Sequence, residues 1–255
     1  MTVETAKPGW FGRLAHPGYF LEWSRHFILP LAVLTAVLFA VGLFFALFHS
    51  PEDYQMGQTV RIMYVHVPNA WLAEMCFVLM ALSSVGTLVW RHPMADVAAK
   101  SAAPLGATVT AVALYTGALW GRPTWGTYWE WDGRMTSFLI LFLMYLGIIA
   151  LWRAFDDQLR AAKIVAVFTL VSVVNIPIII FSVVWWNTLH QPSSLISAKG
   201  PQMPPSFLIP LFLMMGAFTC LFATLHIVRM RTEIKRRRIR SLERQHAAAL
   251  AGGGA

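Results

Sequence analysis

Two histidines and one run of aromatic residues are the parts of this chain best suited to chemistry. The run is WGTYWEWDGR, residues 125–134, with four rings, two acids and one base in ten positions. His66 lies in MYVHVPNAW and His190 in WWNTLHQPS, one on either side of that run in sequence. A neutral imidazole is a ready ligand for iron. The spacing of the run predicts a short helix from Trp125 to Asp132, lying along a membrane surface, with Thr124 capping its start and Gly133 ending it. Trp125, Tyr128, Trp129 and Asp132 then fall at i, i+3, i+4 and i+7 and share one face. Gly126 keeps one position of that helix free of bulk, and Trp131 points elsewhere. Three rings in a row would form a flat apolar platform with a carboxylate at its edge, suited to a large, flat, mostly apolar ligand.

Plainer readings stand beside this one. Trp and Tyr collect at membrane–water interfaces, which accounts for Trp90, Trp120, Trp152 and Trp185 near helix ends, though poorly for the central run. A lone histidine near a membrane surface is usually an ordinary interfacial residue. His49 remains a spare candidate. Arg61, Arg122 and Arg134 suit carboxylate groups of a ligand, and equally suit pairing with Asp132, Glu130, Asp53 or Glu52. Glu74, early in an apolar span, is either functional or in reach of water.

The elements that must position these residues are membrane helices. The chain is 57% hydrophobic and only 13% charged, with mean hydropathy +0.59, whereas a soluble domain carries about a quarter charged residues. The expected fold is all-α: a polytopic membrane protein with six transmembrane helices plus the short outer-face amphipathic helix. The spans are expected at 27–48, 70–90, 102–120, 135–152, 164–185 and 207–229, in a single integral membrane domain over 1–255. The start, MTVETAKPGW, does not read as a cleavable signal peptide. His66 then falls just before the second span and His190 just after the fifth. Asn175 and Pro177 are expected to kink the fifth span, and Gly117 and Gly121 form a small-xxx-small packing pair. Cys76 and Cys220 lie inside spans with no C-x-x-C pattern, which argues against thiol redox chemistry and a c-type cytochrome.

Lysine and arginine concentrate before the first span, in the second and fourth connections, and in RMRTEIKRRRIR after the last span. The positive-inside rule puts those segments and both termini in the cytoplasm. The Trp-rich loop, 120–134, and both histidines then face outward. The basic tail, 230–255, is expected to be cytoplasmic; its RMRTEIKRRRIR reads as a positive-inside anchor near anionic membrane lipid, with nucleic-acid binding the weaker alternative, and its end, AAALAGGGA, is expected to be disordered.

A ligand with a flat apolar ring, an iron and two carboxylates would use the platform, the histidines and the arginines together. Haem is that ligand. WGTYWEWDGRMTS, flanked by WGRPTWG, YVHVP and WWNTLHQ, closely resembles the tryptophan-rich (WWD) signature of the haem-handling membrane proteins of cytochrome c maturation, and specifically the haem exporter protein C (CcmC) family. Trp125, Gly126, Trp129, Trp131, Asp132, Arg134 and Thr136 match the motif. Tyr128 stands where many members carry Trp, and Glu130 where an apolar residue is common.

The resemblance implies non-covalent, transient haem b at the periplasmic face of a bacterial inner membrane, with His66 and His190 as axial ligands. It implies that Trp125, Tyr128, Trp129, Trp131, Asp132, Arg134, Arg61 and Arg122 line the haem site. Trp125, Gly126, Trp129 and Asp132 would also dock a periplasmic haem chaperone, CcmE. An ABC transporter pair, CcmA and CcmB, and a small membrane protein, CcmD, are the further partners implied. No catalytic triad, phosphate loop or hydrolase metal spacing is visible, so the expected role is delivery rather than catalysis. A transporter with the loop as a gate, and a scaffold without cofactor, are the rival functions. The first would need ionisable residues deep in several spans, and the second leaves both histidines without purpose.

Overall fold

Apolar runs of this length fold as helices because each backbone N–H must find a partner within its own segment once water is excluded. The computed structural model describes residues 15–190, 200 and 203–252. Among the described residues, six helical segments are long and apolar enough to cross a bilayer. α1 is Pro17–Phe44, ending in a π-turn over Phe45–His49. A 3-10 turn, Gln58–Ile62, leads directly into α2, Met63–Val89. α3 is Ala95–Trp125 and α4 is Gly133–Ala154. The fifth segment is broken into α5, Gln158–Ser172, and α6, Asn175–Trp185. α7, Pro205–Gly252, runs through 48 residues without interruption.

Two boundaries differ from expectation in ways that matter, and the kink expected at Asn175 and Pro177 is present. The second helix begins before His66, so this histidine stands on a helix and not in a loop. Pro68 is tolerated in its early turns, and the Asn69 side-chain amide donates to the Val65 carbonyl at 2.7 Å. The basic tail is helical as far as Gly252, although AAALAGGGA was expected to be disordered; its last residues, 253–255, lie outside the described set. Side chains hold this extension in place. Arg231 donates to Ser24 of α1 at 2.7 Å, and Arg237 donates to Asp96 of α3 at 2.7 Å. The fifth span breaks immediately before Asn175, whose amide donates to the Ser137 carbonyl of α4 at 2.9 Å. Pro177 has no N–H to offer the Val173 carbonyl, which accepts instead from Ile176 at 2.9 Å.

α2 and α3 pack along each other as the central pair, α1 lies against α7, and α5 and α6 pack on α2 and α4. The core between them contains Leu72, Phe77, Met80, Leu141, Tyr145 and Ile148, all almost wholly buried. Tyr145 of α4 reaches across to α2, where its hydroxyl donates to the Ala73 carbonyl at 2.7 Å. It passes over Gly106 of α3 so closely that a Cβ there would lie 2.2 Å from the ring. The outer faces of α1, including Leu29, Val33 and Val37, are exposed and apolar, as lipid contact requires.

The Tyr145 ring is fully buried and cannot step aside, so Gly106→Ala should lower stability by about 1–3 kcal/mol through overpacking. A thermal melt of the detergent-solubilised protein should show the drop, and Tyr145→Phe should cost less, about 1 kcal/mol, for its single hydrogen bond.

Candidate functional site

The alternating helices bring the N-termini of α2 and α4, and the C-termini of α3 and α6, to one end of the bundle. Every residue singled out for chemistry collects there, but the predicted platform helix does not exist. Trp125 is the last residue of α3, and Gly126 closes that helix in the left-handed region at φ 78°. That conformation favours glycine. Thr124 does not cap a helix start; its hydroxyl donates to the Trp120 carbonyl one turn back. Asp132 then opens α4 as its N-cap, Oδ1 accepting from the Met135 N–H at 2.7 Å, and Gly133 is the first residue of the new helix. Two strong helix-boundary signals, a left-handed glycine and a capping aspartate, therefore override the i, i+4 spacing between them. Trp125, Tyr128, Trp129 and Asp132 share no helical face.

His66 is held through its Nδ1, which lies 3.0 Å from the Ala113 carbonyl and 3.2 Å from the Thr116 hydroxyl of α3. A carbonyl can only accept, so Nδ1 carries the proton and Nε2 keeps its lone pair. A second ring nitrogen donating to a backbone carbonyl is the usual support of a metal-binding histidine. The ring lies against Gly117, where a Cβ would come within 2.9 Å of Cε1. Trp120 stands edge-on beside it, with centroids 5.7 Å apart, and its indole N–H points to the sulfur of Met56. Gly117 thus does sit at a helix contact, as the small-xxx-small pattern suggests, but what it accommodates is the histidine. Gly121 makes room for the Trp125 ring.

His190 approaches from the segment after α6. Its ring meets Trp125 edge-on at 4.8 Å. Asp132 anchors this segment: Oδ2 accepts from the Leu189 N–H at 3.1 Å and lies 3.7 Å from His190 Nδ1. That approach is too long for a hydrogen bond, yet the carboxylate still favours the protonated ring. Burial and the Arg134 guanidinium oppose it and hold His190 below the usual histidine range, so the neutral form prevails. His66 and His190 act on each other electrostatically, and the charge of Arg134 acts on both and on Glu74. Among the described residues, none of Arg61, Arg122 and Arg134 forms an ion pair, so the expected alternative of pairing with nearby acids is not realised.

The other predicted residues divide in two. Arg61 donates to the Ser50 carbonyl at 3.3 Å, and its buried Nε has no partner. Trp129 stacks edge-on with Trp131 at 5.3 Å, and its buried indole N–H is also unsatisfied. Arg122 turns back on the loop, donating to the Gly126 carbonyl and covering the Tyr128 ring at 5.5 Å. Tyr128 and Trp131 are 57% and 72% exposed, and Glu130 is exposed beside them. These three offer an exposed surface beside the loop. His49 packs on Phe44 and Phe45 of its own helix end. Sequence reasoning missed Trp120, Gly117 and Trp186, whose indole covers Gly133 within 3.1 Å of an added Cβ. Their signal was adjacency alone, in GALWG and WWNTLH.

The group as a whole fits a haem. Two imidazoles can present nitrogen to iron, and two buried nitrogens, Arg61 Nε and Trp129 Nε1, lack partners at the same end of the bundle. An unsatisfied buried donor is costly unless a ligand meets it.

Because folding depresses the His190 value, its contribution to stability is full above the ordinary histidine pKa and declines as pH falls below it. In protein without haem, a labelled-histidine NMR titration should place this ring below the ordinary value. Arg134→Gln should move its midpoint upward by removing the cation that opposes protonation.

A family model described as Heme exporter protein C matches residues 10–245. A protein of that name from Bradyrhizobium diazoefficiens is 58% identical over 238 residues, covering 93% of this chain and 90% of its own length. Its namesake from Paracoccus denitrificans is 46% identical, covering 89% of this chain and 95% of its own length. The one from Escherichia coli K12 is 42% identical over 217 residues, covering 85% and 84%. At this identity and coverage, with the Trp-rich loop and both histidines gathered at one end of six membrane helices, the chain belongs to the Heme exporter protein C (CcmC) family.

Proposed function

We propose that this protein holds haem between His66 and His190 at the Trp-rich end of the bundle and delivers it, as cargo, in cytochrome c maturation. The observation that carries the reading is His66: its Nδ1–H is fixed by the Ala113 carbonyl, which leaves Nε2 free and aligned by a rigid helix. His66 and His190 would each give the haem iron an imidazole nitrogen, which would leave the bound haem poorly suited to oxygen chemistry. His190 supplies the second imidazole, kept neutral by burial and by Arg134. Trp120 and Trp125 flank the two rings and exclude water. Arg134 and Arg61, free of ion pairs, orient the propionates; Arg122 braces the loop against Tyr128.

The exposed rings Tyr128 and Trp131 form the docking edge for the receiving partner, with Trp125, Gly126 and Trp129 beside them; Asp132, expected on that edge, is buried and engaged by Met135 and Leu189, so it supports the edge from within. By the family resemblance that partner is the chaperone CcmE, with CcmA and CcmB as the energy-supplying transporter pair and CcmD as a stabilising subunit. No residue set in the chain is assigned a catalytic role. The density of arginine at the opposite end supports an inner-membrane orientation with that end and both termini cytoplasmic, and the Trp-rich loop periplasmic.

Protein purified from haem-replete cells should show a bis-imidazole haem spectrum. His66→Ala and His190→Ala should each reduce haem retention by roughly tenfold or more, in line with losing a metal-supporting contact. Gly117→Val should do the same by displacing the His66 ring while leaving both ligands in the sequence. Colourless wild-type protein, or full haem in both histidine variants, would remove the axial assignment.

A further inference from the structure

The bundle end opposite the Trp-rich loop contains a second built site. The ends of α3, α4 and α5 and the middle of α7 enclose a cleft of about 610 Å³. Six bases line it, Lys100, Arg153, Arg229, Arg236, Arg240 and Arg244, against two acids, Asp156 and Glu233. Glu233 is already engaged by Lys100 at 2.7 Å and by Arg237 at 3.0 Å. Among the described residues Arg153, Arg240 and Arg244 form no ion pair, which leaves the cleft strongly positive.

Two further groups in its wall point to an acceptor. The Trp152 indole N–H and the Ser101 hydroxyl are buried and have no hydrogen-bond partner among the described residues. Trp152 is 9% exposed and Ser101 3%. Trp152 was expected in an interfacial belt; it is instead turned inward, with the Lys100 ammonium 5.0 Å above its ring. An indole N–H can only donate, so its partner must carry a lone pair.

The wall also changes character with depth. One helical turn further into the bundle from Trp152 lies Ile149, and one turn further from Ser101 lies Pro104, with Ala103 beside it. Charge and donors at the rim, with an apolar wall beneath, match an anionic headgroup followed by acyl chain. A free phosphate would gain nothing from the apolar part. We propose that this cleft binds one phospholipid of net negative charge, with the phosphate received by Trp152 Nε1, Ser101 Oγ and the unpaired arginines Arg153 and Arg240. The lipid would tie the α7 extension to α4 and α5, which no ion pair among the described residues does.

The test is native mass spectrometry of the full chain released from nanodiscs of equal phosphatidylglycerol and phosphatidylcholine. The wild type should retain one phosphatidylglycerol in roughly tenfold preference, given the cost of removing an anionic lipid from several bases. Arg153→Gln with Arg240→Gln should abolish the preference. Trp152→Phe keeps the ring and every charge, guards against misfolding of the double variant, and should reduce the preference several-fold. Millimolar inorganic phosphate should not displace the lipid. Equal retention of the two lipids, or an unchanged preference in Trp152→Phe and the double variant, would overturn the proposal. So would displacement by inorganic phosphate. A photo-crosslinker at Gln158 that captures a protein and no lipid would assign the cleft to an acidic protein partner instead.

Discussion

One carboxylate joins the parts of the Trp-rich end. Asp132 Oδ1 caps the start of α4, and Oδ2 holds the Leu189 N–H of the segment that carries His190. The residue is 8% exposed, so both bonds form in a setting where losing them would be costly. An acid at a helix N-terminus also gains from the helix dipole. The same group therefore ends the loop, starts the helix that positions Arg134, and brings His190 against Trp125. The WWD signature reads, in physical terms, as two rings followed by the residue that ties them to the segment carrying His190.

The two histidines are held in different ways. His66 rides on a helix, with its Nδ1 bound to α3 and its ring seated on Gly117. His190 follows the end of α6 outside any helix, held by the Leu189 N–H on Asp132, the Thr188 hydroxyl on its own carbonyl and a ring contact with Trp125. Arg134 acts electrostatically on both. Such an arrangement gives one imidazole seated on a rigid helix and one whose backbone is tied to the carboxylate of Asp132.

The six spans were legible because continuous apolar runs without strand alternation admit only helices in lipid. His66 and His190 were legible as a pair because span counting puts them at one end. The platform helix was misread because i, i+3, i+4 spacing over eight residues is weak evidence beside Gly126 and Asp132, and each of those had a second role available. The spacing offers Gly126 as a bare position on a helix, whereas it ends one. The helical tail differs for a related reason: Arg231 and Arg237 anchor the stretch before it to α1 and α3, partners more than a hundred residues away, and the alanines beyond, good helix formers, continue that helix.

Local chemistry in the sequence thus determined which residues are available: imidazoles, indoles, guanidinium groups, and the apolar lengths that place them at a common depth. Tertiary structure alone decided which of them meet. Trp120 faces His66 rather than lipid, Trp152 turns inward beneath Lys100, and Gly117 exists for a ring on another helix. The physical reason is that helix periodicity says which residues share a face, whereas packing against a particular neighbour says what that face touches.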